Sequence, residues 1–402
     1  VALGYDKTVE NLIGGLTAPE SSTPKLPHLT GVDALNEGKG NTYEEYENLV
    51  GWWVEKMAKS STPLREKLTL LLHGQFPTGF DKVGVPIYMH HQNEIFRTIG
   101  AGPFDRLTAA LSIDPAMLIW LDLSSNQRDS PNENFARELM ERFTMGIGNY
   151  SQRDVQEGAR ALTGWSLSYP GGKFEFNTWS HDFGDKIFLG NRGNLDGDDI
   201  VRIVTHSSAA SRWVPSRMWS FLAYPASPRD PVVTDLAPSF AKDLNMTELL
   251  RSIFTHPQFI STGSQQGLVK QPIEWVAGIM RALNLGTRTF EKQGGAGFLL
   301  STLSNLGQIP FNPPTVGGWG NNQFWLSSAS SLAQLNFAQT VTQVADLHSI
   351  EEASGPSRVD ALANLLSIDS WSPRTNAILQ HVRDDLAKLV PLALTAPENV
   401  TN

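Results

Sequence analysis

The chain has 402 residues, 40% of them hydrophobic and 18% charged, which is enough to bury a large core. A formal net charge of −9 argues against a nucleic-acid partner, because such binding draws its affinity from clustered lysine and arginine. The absence of cysteine removes disulfides, thiolate nucleophiles and cysteine-ligated zinc or iron–sulfur centres, and no apolar run approaches the roughly 18 residues of a membrane span.

The first residues, VALGYDKTVENLIGGL, have helical periodicity and start without an initiator methionine. That start reads as processed or trimmed, with any export signal lying outside the sequence. A proline-rich stretch to Gly31 reads as a surface loop. Residues 43–59 pattern as a helix with Tyr46, Leu49, Val50, Trp53 and Met57 on one side and glutamates largely on the other. Pro63 opens PLREKLTLLLHGQF, a helix whose late turns are apolar enough to be buried, with His73 at its end. A turn-rich link then leads to His90 and His91.

Two helices are predicted between Ser130 and Trp165. Ser130 with Glu133 has the form of a capping box, with Pro131 suited to the first turn. Phe135, Ala136, Leu139, Met140 and Phe143 make an apolar face, while Asn134, Arg137, Glu138 and Glu141 make a polar one. Gly146 and Gly148 end this helix, and Ser151 with Asp154 repeats the box for a second one carrying Val155, Ala159 and Leu162. From residue 170 to 195, glycines punctuate the short aromatic runs FEFNTW and KIFLG, the pattern of a β-hairpin excursion. Asp196 is placed to cap a following helix; LDGDD does not make a calcium loop, since Arg192 would occupy the first ligand position. The proline-rich stretch 224–238 reads as an extended loop, after which helical periodicity returns at 245–254, 270–285, 297–306, 327–347, 358–367 and 373–394. The expectation is a mainly α, single multi-helix domain over residues 1–402 with a small β-containing insertion at 170–195.

The segment NENFARELMERFTMG, Asn132 to Gly146, followed by RALTGW, Arg160 to Trp165, resembles the hallmark of the bacterial family called domain of unknown function 1800. Further matches are His73-Gly74, the HDFGDK run with His181, Asp182, Gly184 and Lys186, the VKQPIEW run, and PFNPPTVGGWGNNQFW from Pro310. The resemblance implies a helical protein exported by bacteria to the periplasm or exterior, often encoded beside another exported protein that is a possible partner. It implies no reaction. Many relatives carry a second histidine two residues after the first, where this chain has Gln75, which weakens any metal site built on that pair.

Three groups of residues could carry chemistry. Glu138 and Glu141, three apart, project from one side of a helix with Arg137 between them; a desolvated carboxyl beside a charge-stabilised one is the equipment for acid–base work on a glycosidic bond. The competing reading is an ion-pair face, since Glu133–Arg137, Arg137–Glu141 and Glu138–Arg142 all have i,i+4 spacing. His181 and Asp182, with Asp185 nearby, could hold a divalent metal or move a proton, and His73 could join them only through folding. The chain has eleven tryptophans, and those in glycine-rich loops, Trp165, Trp179, Trp319 and Trp325, could stack on a sugar. No nucleophile elbow, Walker loop, dinucleotide fingerprint or zincin motif occurs. The working expectation is an exported hydrolase acting on an extracellular polysaccharide. In it Glu138 is the acid, Glu141 or Asp182 its partner, and His181 a shuttle; Arg137, Asn134, Trp165 and Trp319 bind substrate. The alternatives are a non-catalytic binding or assembly protein and a metal-dependent hydrolase using His73 and His181.

Overall fold

A computed structural model of the protein describes residues 4–168, 171–355 and 357–401. Its centre is the helix Pro63–Gln75, which opens on proline at its first turn and has two apolar faces. Leu68, Leu71 and Leu72 enter one cluster of buried side chains with Phe76, Phe96, Phe104, Phe135 and Phe143. Leu70 enters a second, with Trp53, Trp275, Phe290 and Phe337. Leu49, Val50, Trp53 and Val54 of the helix Thr42–Lys59 are fully buried in that second cluster, where the helix packs on Pro272–Ala282 and Ala296–Leu306. Each such side chain contributes about 1.5–3 kcal/mol through burial, so this two-faced hydrophobic helix holds the two clusters together.

The protein is mainly α, and its described β structure is confined to two antiparallel hairpins. Strand β1 (Trp165–Leu167) pairs with β2 (Phe174–Phe176), and β3 (Lys186–Phe188) with β4 (Asn191–Gly193). The excursion thus begins at Trp165, a few residues before its expected start, and Tyr169 and Pro170 lie outside the described residues. The helix Gly197–Thr205 is capped by Asp196, whose side chain accepts from Asp199 N–H. Gly197 is required by close packing: a Cβ there would stand 2.0 Å from the Trp165 ring.

Three local expectations need correction. Ser130 does not cap a helix; helical structure begins at Asn134 with no side-chain cap, and the turn before it is organised by Asn132, whose Oδ1 accepts from Asn134 N–H. Residues 231–243 are a helix and not a loop, because Pro231 occupies its first turn and the helix absorbs Pro238. The helical pattern at 373–394 is two helices, Pro373–His381 and Leu386–Leu394. The box of Ser151 with Asp154 is present as expected.

Candidate functional site

The helix starting at Asn134 changes its winding after one turn. Residues Asn134–Glu138 are α-helical and Leu139–Thr144 are π-helical. A π segment shifts each carbonyl by one residue from its α partner, so it needs other donors to hold it. Gln75 provides them: its Nε2 donates to the carbonyls of Arg142 and Phe143, both at 2.9 Å, and Trp213 Nε1 donates to Arg142 at 3.0 Å. Gln75 Oε1 in turn accepts from Arg217 Nε at 3.1 Å. Gly146, at φ +80°, ends the segment against the face of Trp213, leaving no room for a side chain. The departure noted at Gln75 is therefore a structural bracket for the wide turn.

Glu138, the last α-helical residue, and Glu141, on the wide turn, stand beside one guanidinium. Arg142 Nη lies 3.2 Å from Glu141 and its Nε 3.9 Å from Glu138. Glu141 also accepts from the Tyr150 hydroxyl at 2.6 Å, and burial together with that bond pushes Tyr150 up to about 12. Glu138 is 8% exposed, and its Oε2 is buried without a hydrogen-bond partner among the described residues. Burial, then the charge of Glu141, raises its carboxyl above the ordinary value, against the opposing pull of Arg142 and Arg137. The expected Arg137–Glu141 pair is not formed; Arg137 instead binds Glu133 and Gln152, each at 2.9 Å. Asn134 donates to the Leu121 carbonyl at 3.4 Å and helps to fix the chain entering the helix.

His181 and Asp182 stand in a separate group. Asp182 accepts from Arg160 Nε at 2.7 Å and from Gly184 N–H at 2.8 Å; burial would raise its carboxyl, but these bonds hold it below the ordinary value. Thr163 Oγ donates to the Arg160 carbonyl and accepts from Asp182 N–H, while His181 Nδ1 donates to the Thr163 carbonyl at 2.8 Å. The Lys186 ammonium closes the loop from inside, bonding the carbonyls of Asp182 and Gly184. These residues clamp the hairpins to the helix Gln152–Ala161, with Arg160 near one end of that helix and Gln152, which meets Arg137, at the other. Such a helix is about 15 Å long, so Glu141, and not Asp182, is the carboxylate beside Glu138.

Among the loop tryptophans, Trp165 is 5% exposed and its ring packs on Phe174 and Gly197, which removes it as a sugar platform. Trp319 is half-buried on the His73 ring, in a loop whose Gly317 backbone passes beside Arg142. Trp325 is buried, whereas Trp179 is 84% exposed. Phe176, Phe183 and Ile187 are also exposed, and His181 lies edge-on to the rings of the first two. His73 is enclosed: its Nε2 accepts from Phe311 N–H at 3.1 Å, and burial lowers it to about 3. Among the described residues no three His, Asp or Glu side chains are grouped to hold a metal ion, so the geometry lends no support to a site joining His73 and His181.

Fold and site together describe a mainly α-helical protein that carries a carboxylate pair where an α-helical turn passes into a π-helical one. A family model described as a protein of unknown function (DUF1800) matches residues 1–400, and the chain belongs to that family. No curated protein and no solved structure matches it. No described helix is long and apolar enough to cross a membrane.

Proposed function

We propose that the protein is an exported acid–base hydrolase acting on an extracellular glycan, with Glu138 as the proton donor and Glu141 as the partner carboxylate. One observation carries this reading: two carboxyls share Arg142, yet one is bonded to Arg142 and Tyr150 while the other is buried, with an oxygen that has only the distant Arg142 charge and no hydrogen bond among the described residues, and its proton held more tightly. Unlike surroundings of this kind separate an acid from its partner in glycoside hydrolysis. Arg142 and Arg137 set the charge around the pair, and the loop through Gly317 and Trp319 borders it. The test is release of reducing ends from a panel of bacterial and plant polysaccharides by the wild type and by Glu138→Gln, matched for folding by circular dichroism. The reading expects activity that falls by at least about 10²-fold in the folded variant. An inactive wild type across the panel overturns it.

A second reading, a non-catalytic binding or assembly protein, is favoured by the exposed aromatic surface of Trp179, Phe176 and Phe183. Exposed rings at the end of one hairpin and in the segment linking it to the next suit stacking on a sugar or docking a partner. It expects co-sedimentation with insoluble polysaccharide that Trp179→Ala abolishes while Glu138→Gln does not.

A further inference from the structure

The helix Thr42–Lys59 turns one more charged side chain inward. Lys56 follows Trp52 by one turn and Trp53 by three residues, on a face where a lysine is unexpected. It is 5% exposed, its ammonium lies 5.4 Å from the Trp52 ring centre, and it lines an open cleft of about 920 Å³. The walls come from the helices Pro63–Gln75, Pro86–Ile99, Phe104–Ser112 and Met246–Thr255 and from the chain after the first helix.

The charges lining this cleft are unevenly satisfied. Glu20 accepts from the side chains of Ser60, Ser61, Thr62 and Arg65; burial would raise it, but these bonds hold it far below the usual carboxylate range. Glu94 is paired with Arg97, which also makes two bonds to the buried Glu66, at 2.6 and 3.0 Å. Glu248 lies 3.4 Å from Arg251. The cations are different. Among the described residues Lys56 has neither a hydrogen bond nor a carboxylate within 4.0 Å, Arg65 Nε is buried without an acceptor, and the exposed Arg106 has no ion pair. Burial, then the charge of Arg97, lowers the Lys56 ammonium from its ordinary value, against the opposing pull of Glu66, Glu94 and Glu20. The Lys56 stem is buried while its ammonium opens to the cleft, and an oxyanion reaching it would form the stronger, charge-assisted kind of hydrogen bond.

We infer that this cleft binds a small organic oxyanion, a carboxylate or a phosphate monoester, with its charged end on Lys56 and Arg106 and its apolar part against Leu16, Ile99 and Pro103. The site shares no residue with the Glu138 group, so neither reading depends on the other. The competing explanation is a lysine stem packed on Trp52 with no ligand.

The experiment is isothermal titration of the purified chain with hexanoate, hexyl phosphate, inorganic phosphate and hexylammonium. One of the two alkyl oxyanions should bind one to one and more tightly than inorganic phosphate, and whichever is tighter identifies the head group. Hexylammonium should not bind. Lys56→Met should weaken binding about tenfold or more, the scale of one lost charge-assisted bond, Lys56→Arg should retain part of it, and Arg106→Gln should weaken it by a smaller factor. Arg106 is on the surface, so its variant keeps the test open even if Lys56→Met fails to fold. Absence of binding by both alkyl oxyanions, equal binding of hexylammonium, or affinity unchanged in the folded variants overturns the inference.

Discussion

The two ends of the helix Gln152–Ala161 treat charge in opposite ways. Near its C-terminal end Arg160, Asp182 and Lys186 are engaged on every side, with bonds that favour the ionised carboxylate of Asp182. Near its N-terminal end Arg137 and Gln152 border a group in which the Glu138 charge is disfavoured and one oxygen has no hydrogen bond. Residues from one family hallmark therefore do different work. The clamp is explained by folding, because no side-chain polar atom it buries is left without a partner, and Arg160 to Asp182 and His181 to Thr163 join segments distant in sequence. Glu138 is not, since a buried carboxyl that the fold does not stabilise needs another reason to be there.

The largest test of this contrast is Lys186→Met. Lys186 is fully buried, and removing its ammonium leaves the carbonyls of Asp182 and Gly184 without their donor inside the protein. A loss of about 3 kcal/mol in urea unfolding is expected, and a loss below about 1 kcal/mol would show that the clamp is not what holds the hairpins. Gln75→Leu comes next. It deprives Phe143 of its bracket donor and Arg217 of its acceptor, and should cost about 2 kcal/mol. Because the π segment depends on these bonds, this variant should also shift the amide resonances of residues 139–144 in solution spectra.

Asp182→Asn should cost less, about 1–2 kcal/mol at neutral pH, by removing a charge-assisted bond to Arg160 while leaving an acceptor for Gly184. The sign with pH follows from the lowered carboxyl of Asp182. Its contribution is complete above the ordinary aspartate value of about 4 and is lost as pH falls through the lower value of the folded state. The gap between variant and wild type should therefore close in acid, measured as denaturation midpoints from neutral pH down to the acid limb.

The sequence shows the fold better than it shows the site. The buried helix ending at His73, the Ser151–Asp154 box and the Asp196 cap are all readable because each depends on neighbours within a few positions. The start at Asn134 was hidden because Asn132 performs the local bonding that Ser130 and Glu133 appeared designed for. The π winding was hidden for a stronger reason: its donors, Gln75 and Trp213, are far away in the chain. Since i,i+4 spacing assumes α geometry, it placed Arg137 on Glu141, when the carboxylate is in fact held by Arg142 and Tyr150.

Glu138→Gln has the smallest expected effect on stability and the most informative sign. The carboxyl of Glu138 is raised in the folded protein, by burial first and then by Glu141, so the native state holds its proton more tightly than the unfolded chain does. Below the ordinary glutamate value of about 4.3 both states are protonated and the charge penalty is absent. As pH rises through the interval up to the folded value, the wild type loses stability that the neutral amide keeps. The variant should thus gain on the wild type between acid and neutral pH, by about 0.5 kcal/mol, where Asp182→Asn loses ground over the same direction of pH. Paired denaturation curves for the two variants read both signs in one experiment. If Glu138→Gln instead weakens the protein at neutral pH as Asp182→Asn does, the Glu138 charge is structural after all, and the hydrolase reading loses the observation that carries it.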